Sequence, residues 1–376
     1  MEIEEYLQQK ETRLEKAGRK IRDYRVFDFN YMPSKPLMRD EVKPIADAML
    51  RYLKTGIPNN LLVVGSRGSG KTLWVRYLAE RLASSFENGQ NSSQQGAQRR
   101  EPCFFYINCR HHNTSFKILA EILRVRPRGY GLDELWRQFH GRFRGPLILI
   151  LDEADLISEK DRQKDLLYML SRSDRNYMVI LLSNNPHFHH VLDSSTRSTL
   201  QPEIIHFRNY NANQVLDILR QRVSLGLYRF SREDLARIMA LTVQNANSDI
   251  RVGIKTLYLC AIEPKTGVEP NFERARRDIV ADLVNGLSDK NLIILKAAAR
   301  TPEGWVKAVY EEYRRLSLTV GESPFSYVYF YSNLSYLQSI GLILLVSTKV
   351  RKTYTNRLQL LFDTEVLERV WRGRFL

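Results

Sequence analysis

The stretch Leu61-Leu62-Val63-Val64-Gly65-Ser66-Arg67-Gly68-Ser69-Gly70-Lys71-Thr72 runs from an apolar segment through a glycine-rich loop into a helical pattern, Leu73 to Leu82. The spacing is G-x-x-x-x-G-K-[ST] in a strand–turn–helix setting. Glycines open backbone conformations closed to side chains, so N–H groups turn inward and form an anion cradle at a helix N-terminus. Lys71 supplies a mobile positive charge for the β/γ-phosphates and Thr72 a hydroxyl ligand for Mg²⁺. Gly65, Ser66, Arg67, Gly68, Ser69, Gly70, Lys71 and Thr72 are therefore expected to bind ATP or ADP.

Working outward, Leu147 to Leu151 is an apolar run that ends in Asp152-Glu153. It predicts a buried parallel strand with two carboxylates at its C-terminal end. There Asp152 can organise Mg²⁺ together with Thr72, and Glu153 can orient the attacking water. Lys164 to Leu170 reads helical. Met178 to Leu182 is a second buried strand, ending at Ser183-Asn184-Asn185, and Asn184 is placed to hydrogen-bond the water beside the γ-phosphate. Cys103 to Asn108 and the segment around Ile204-Ile205 add further strands. The alternation predicts an α/β domain with a parallel sheet and flanking helices.

The chain has 376 residues, enough for two or three domains. Its net charge of +15 makes a polyanionic partner plausible through counterion release. The three cysteines, Cys103, Cys109 and Cys260, lack C-x-x-C spacing and read as thiols of a reducing compartment. Neither a membrane-length apolar run nor a signal-peptide pattern occurs, so a cytoplasmic protein without a membrane partner is expected. Met1 to about Arg25 reads as a charged amphipathic helix, and Glu87 to Arg100 as a low-complexity surface loop. Beyond Asn211 the pattern turns helical. Within it, Ser248-Asp249-Ile250-Arg251 opens a helix, and Arg251 is a candidate for reaching back to the γ-phosphate.

The ordered set Gly65–Thr72, Leu149–Glu153, Ser183–Asn184 and Ser248–Arg251 resembles an AAA+ ATPase. The segment Asn108-Cys109-Arg110-His111-His112-Asn113-Thr114-Ser115-Phe116-Lys117-Ile118-Leu119 is more specific. With Leu166-Leu167-Tyr168 and Tyr210-Asn211-Ala212, it resembles the archaeal origin-recognition replication initiators, relatives of the large eukaryotic origin-recognition-complex subunit and its helicase-loading partner. The resemblance implies an α/β AAA+ core, an all-α lid and a C-terminal winged-helix domain. The corresponding boundaries are 1–210, with a basic helical insertion at about 108–145, then 211–265 and 272–376. It further implies an ATP-controlled protein that binds double-stranded origin DNA and helps recruit the MCM helicase, alone or with initiator paralogues. That places it in the cytoplasm, associated with the nucleoid.

Two regions are expected to touch DNA. Arg124, Arg126 and Arg128 surround Pro127 and Gly129 in the insertion, a short basic loop suited to phosphates. In the C-terminal region, Ser323-Pro324 reads as a helix start, and Phe330, Leu334 and Leu337 form an apolar stripe running to Gly341. Tyr329, Ser332 and Ser335 fall off that stripe and are candidates for facing DNA. The following segments read as a hairpin, a wing whose Lys349, Arg351, Lys352 and Arg357 suit phosphate contacts. A winged helix that binds protein is the alternative, which would make the chain an AAA+ loader or remodelling ATPase.

The sequence departs from the family pattern in two places. Val328 and Tyr329 stand where a basic pair usually opens the recognition helix, which favours stacking or shape readout over arginine contacts. Ser195 stands where an arginine acting on a neighbour's ATP is expected, with Arg197 two residues further on. Losing such a finger costs orders of magnitude in rate, so a slow ATPase used as a switch is expected.

Overall fold

The computed structural model describes residues 3–4, 20–89, 102–126, 129–157, 161, 165–186, 188–350 and 353–375. The chain divides into two compact units, Met32–Arg208 and Met1–Tyr31 with Asn209–Leu376.

The first unit is a five-stranded parallel sheet built from β1 (Leu61–Gly65), β2 (Cys103–Asn108), β3 (Leu147–Asp152), β4 (Met178–Ser183) and β5 (Glu203–Phe207), in the order β2-β3-β4-β1-β5. Every residue of β3 and β4 is buried. The reason is visible in the strand alternation. Leu62, Val64, Leu149, Leu151, Val179 and Leu181 turn to one face. That face is covered by α3 (Ser115–Leu123), α4 (Leu132–Arg142), α5 (Asp165–Ser171) and α6 (Ser194–Leu200). Leu61, Val63, Ile148, Ile150, Ile180 and Leu182 turn to the other face, against α1 (Val42–Thr55) and α2 (Lys71–Gly89). A sheet covered on both faces must read as continuous apolar runs. Truncating one of these side chains, for example Leu149→Ala, costs about 2–5 kcal/mol.

Helix α1 follows from Val42, Ile45, Met49 and Tyr52 at helical spacing, all buried. It ends at Gly56, whose left-handed backbone (φ 73°) lets its N–H bond Tyr52 O. The Tyr52 hydroxyl then bridges the start of β3, donating to Leu147 O (3.1 Å) and accepting from Leu147 N (2.9 Å). Parallel register carries the chemistry to one edge of the sheet. Asn108 lies opposite Asp152, Val64 opposite Ser183, and Gly65 opposite Phe207. All of these are at C-terminal strand ends, where open α/β sheets bind ligands.

The second unit contains α7 (Ala212–Gly226), α8 (Arg232–Asn245), α9 (Ile250–Ile262) and α10 (Val268–Asn285). Helix α7 opens with a full capping box between Asn211 and Gln214. The N-terminal strap belongs here rather than with the sheet: Ile21 bridges Leu227, and Arg22 N donates to Gly226 O (2.8 Å). The buried Arg222 secures it by donating to Val26 O (2.5 Å) and Tyr31 O (3.3 Å), while lying over the Tyr31 ring. The sequence reading grouped residues 1–31 with the nucleotide-binding domain. The strap departs from that grouping because its backbone and Phe27 are taken up by this helical core. The helix expected from Met1 to Arg25 falls mostly outside the described residues; Tyr24–Phe27 is a single 3-10 turn.

The same unit ends in α11 (Asp289–Ala299), α12 (Val306–Thr319), α13 (Tyr327–Ser339), the hairpin β6 (Ile343–Val350) and β7 (Thr353–Leu360), and α14 (Thr364–Phe375). Three helices are thus followed by an antiparallel hairpin and a last helix. Phe330, Leu334 and Leu337 are fully buried, as their stripe predicts. The α13 cap is Ser326, which accepts from Tyr329 N, and not Ser323. Phe325 is held out of the helix because its carbonyl accepts from Tyr310 Oη (3.0 Å) and its N–H donates to Tyr313 Oη (3.0 Å). The hairpin docks on Gly304 (φ 67°), where an added Cβ would sit 2.3 Å from Leu358 O.

Candidate nucleotide site and nucleic-acid interface

At the end of β1 the chain turns through Gly68 (φ 73°) and Gly70 (φ 91°) and enters α2 at Lys71. Both glycines adopt the left-handed backbone that side chains resist. Gly65 is required for a different reason: a Cβ there would meet Phe207 O at 2.5 Å. The Lys71 ammonium donates to Gly65 O (2.7 Å), Ser66 O (2.9 Å) and Asn184 Oδ1 (3.0 Å). One cation therefore joins the loop to the end of β4, and a phosphate entering the cradle would compete for it.

Asp152 Oδ2 accepts from Thr72 Oγ1 at 2.8 Å. Two oxygens at that separation suit adjacent corners of a Mg²⁺ octahedron with ~2.1 Å bonds. No group of three or more His, Cys, Asp or Glu side chains suited to a metal exists among the described residues. Mg²⁺ commonly relies on one or two protein ligands plus phosphate and water, so Thr72 and Asp152 fit such an ion. The same Asp152 oxygen accepts from Tyr106 Oη at 2.7 Å. Burial, then the charge of Asp152, pushes the Tyr106 phenol well above the usual tyrosine range, so it stays a donor at physiological pH.

Glu153 sits in a left-handed backbone conformation (φ 51°) directly after β3. Its carboxylate is held by Arg110, Nε to Oε2 at 2.8 Å and Nη2 to Oε1 at 3.2 Å, while Arg67 Nη2 approaches Oε1 at 4.0 Å. Asn184 is positioned by Asp155, whose Oδ1 accepts from Ser183 Oγ (2.8 Å) and Asn184 N (3.3 Å). Burial raises the Asp155 carboxyl above the ordinary carboxylate range. The loop is braced by the buried Arg39, which donates to Ser69 O (2.6 Å) and Arg208 O (2.7 Å). The structure thus brings together the phosphate loop, Asp152, Glu153 and Asn184.

The AAA domain family matches residues 57–192, the span that carries this arrangement. The ORC1-type DNA replication protein 1 of Archaeoglobus fulgidus is 26% identical over 373 residues, 92% of this chain and 88% of that one. The corresponding protein of Sulfurisphaera tokodaii is 26% identical over 317 residues, 78% of this chain and 74% of that one. The chain carries an AAA domain and is similar over most of its length to archaeal ORC1-type DNA replication proteins. In fold it is similar to the Aeropyrum pernix ORC1 protein, solved in complex with DNA, with a TM-score of 0.67, 22% identity, and 95% and 98% of the two chains covered. The A. pernix ORC2 protein, solved with ADPNP and ADP, gives 0.59 at 20% identity, with 95% and 99% covered.

Of the other site residues expected from the sequence, Arg251 lies in the second unit. Its N–H and Nε donate to Asp249 Oδ1 (3.0 and 2.9 Å), and its Nη2 pairs with Asp249 Oδ2. Arg197 is exposed on α6, and Ser195 is half-buried beside it. Arg124 caps α3 in a left-handed conformation (φ 56°), and both it and Arg126 are exposed; Arg128 lies outside the described residues. On α13, Tyr329 and Ser332 are exposed, Ser335 is half-buried, and Val328 is 80% exposed. Lys349 lies in β6 without a described side chain, and Arg351 and Lys352 fall outside the described residues. Arg357 is engaged within the fold, donating to Glu303 O (2.8 Å) and lying over the Trp305 ring.

Sequence reasoning assigned no role to Arg39, Tyr106, Arg110 or Asp155. Arg110 stood inside the family-specific segment and Asp155 three residues after Asp152, so both were near a signal. Tyr106 and Arg39 carried none, since only the strand register and the N-terminal loop bring them to the site.

Proposed function

We propose that this protein is an ATP/ADP-switched initiator that binds double-stranded DNA at replication origins and helps recruit the MCM helicase. One observation carries the nucleotide half: at the C-terminal strand edge Lys71 donates to Gly65 O (2.7 Å) and Asn184 Oδ1 (3.0 Å), and Thr72 donates to Asp152 Oδ2 (2.8 Å). Thr72 and Asp152 hold Mg²⁺, which neutralises phosphate charge when bound. Glu153 orients water, and Asn184 and Arg251 report the terminal phosphate. The bidentate Arg110–Glu153 pair supports slow turnover, because a carboxylate with both oxygens engaged is a poor water-positioning group.

The DNA half is supported by the helix-and-hairpin order, the net charge of +15, and the relatives named as replication proteins. The hairpin cations Lys349, Arg351 and Lys352 and the loop arginines Arg124, Arg126 and Arg128 neutralise phosphates. Tyr329, Ser332 and Ser335 face the groove, reading by contact and shape rather than by arginine. Initiator paralogues are further partners, and the site of action is the nucleoid. The exposed Val328 favours one rival, a protein-binding winged helix on an AAA+ loader. Footprinting on genomic DNA with ATP and with ADP separates the two. Protection of discrete sites that changes with nucleotide supports the initiator; only diffuse, sequence-independent binding supports the loader.

A further inference from the structure

Arg39 is a buried cation, 4% exposed, whose guanidinium is divided between two backbone carbonyls. Nη1 donates to Ser69 O at 2.6 Å and Nη2 to Arg208 O at 2.7 Å, with the group 5.1 Å from the Phe207 ring centroid. Glu41 completes a clamp. Its Oε1 accepts from Arg39 Nη2 at 2.8 Å and from Arg208 N at 3.2 Å. Arg208 is therefore held at both its N–H and its carbonyl. The two segments that the clamp joins have different tasks. Ser69 lies in the phosphate loop, between the left-handed Gly68 and Gly70. Arg208 follows the end of β5 and is the last residue of the first unit before the chain continues into the second at Asn209.

We infer that Arg39 and Glu41 form a relay, which passes the occupancy of the phosphate loop to the point where the chain leaves the first unit. The inference rests on the nucleotide reading above and deepens it, by giving the switch a route out of its site. In a trans peptide the C=O and the N–H point in opposite directions. Holding Ser69 O on Arg39 thus turns the Gly70 N–H away from the guanidinium, and that N–H is one of the donors expected to hold phosphate. An anion on it polarises the peptide and makes Ser69 O a stronger acceptor for Arg39. The guanidinium is planar and rigid, so its two arms cannot move independently. A loop that shifts Ser69 O must also shift Nη2, and with it the hold on Arg208 O and on Glu41. Phosphate in the loop tightens the clamp, and an empty loop loosens it. Arg39 is a positioning residue in this scheme, acting on the nucleotide only through Ser69 and on the exit of β5 only through Arg208 and Glu41.

The Arg208 amide reports on the clamp because its partner is Glu41 Oε1. Hydrogen exchange of the full chain, read by mass spectrometry on overlapping peptides that isolate Arg208, is compared without nucleotide and at saturating ADP or AMP-PNP with Mg²⁺. In the unaltered protein, nucleotide is expected to slow the Arg208 amide about fivefold or more, together with the amides of residues 66–72. R39M is expected to keep the slowing at 66–72 and to lose it at Arg208. R39K keeps the buried charge beside Glu41 without the rigid fork; it is expected to lose most of the slowing at Arg208, and it decides the matter if R39M does not fold. Slowing at Arg208 that persists in these variants overturns the relay. So does an effect of R39M that is the same with and without nucleotide, which is the mark of a structural brace alone. Slowing at 66–72 but not at Arg208 in the unaltered protein overturns it as well. Slowing at neither place in the unaltered protein removes the nucleotide reading, and the relay falls with it.

Discussion

Replacing Arg110 by Met is expected to make ATP hydrolysis faster. The Arg110 guanidinium holds both oxygens of Glu153, at 2.8 and 3.2 Å, and the two side chains are 30% and 19% exposed. At a charge separation near ~4 Å and an effective dielectric of about 20, the gross attraction is about 4 kcal/mol. Partial exposure and the desolvation of both groups reduce the net hold to about 1–2 kcal/mol. That amount keeps the free carboxylate about 5–30-fold less populated than it would be unpaired. If turnover follows the free fraction, R110M raises the rate constant for hydrolysis by up to that factor. The assay is single-turnover phosphate release at saturating ATP and Mg²⁺, in R110M, E153Q and the double variant. The gain must vanish in the double variant, because it acts through Glu153, and the two changes must be non-additive. A rate in R110M at or below that of the unaltered protein refutes the reasoning, and would mean that Arg110 serves the reaction instead of restraining it.

Three other expectations concern the nucleotide site and the hairpin. Tyr106→Phe removes one of the two hydroxyl donors on Asp152 Oδ2 and is expected to raise the Mg²⁺ concentration needed for half-maximal ATP binding about tenfold, with Mg²⁺-free binding unchanged, as read by Mg²⁺ titration. The Asp155 carboxyl is raised in the folded state, so it binds a proton that the unfolded chain has already lost, and stability falls as pH climbs from about 4 through the folded value. Asp155→Asn removes that dependence, so the Tm difference between variant and unaltered protein should shift in favour of the variant as pH rises; a pH-independent difference would contradict the burial. Replacing Lys349, Arg351 and Lys352 by Ala is expected to reduce the slope of log affinity against log salt for duplex DNA by up to about 2.7, and an unchanged slope would remove the wing from the interface.

What was legible in the sequence lies where chemistry coincides with a strand end. Gly65–Thr72, Asp152-Glu153 and Asn184 each follow an apolar run, and a run buried on both faces announces a parallel strand whatever its neighbours are. Burial of Phe330, Leu334 and Leu337 was legible for the same reason, as a period that one buried helix face imposes. Residues whose role depends on another segment were not. Tyr106 reaches Asp152 only through the β2–β3 register, and Arg39 reaches Ser69 and Arg208 from a loop with no periodicity. The start of α13 was displaced from Ser323 to Ser326 because Tyr310 and Tyr313 hold Phe325 extended, a tertiary preference that local capping rules do not contain.

The two arginines at Glu153 also bear on why the site is built as it is. A trans-acting arginine lets a neighbour time hydrolysis; here Ser195 stands at the expected position, with Arg197 two residues further on. Glu153 lies at the end of β3, restrained by Arg110 beside a second guanidinium from the phosphate loop itself. Restraint from within the same unit makes the hydrolysis rate a property of the single molecule, set by the strength of one partly buried ion pair. A switch of this kind would keep its own time, and its state would report how long ago ATP was bound more than how many neighbours are present. The dilution behaviour of the R110M rate gain distinguishes the cases, since a gain independent of protein concentration is expected only if the clock lies within one chain.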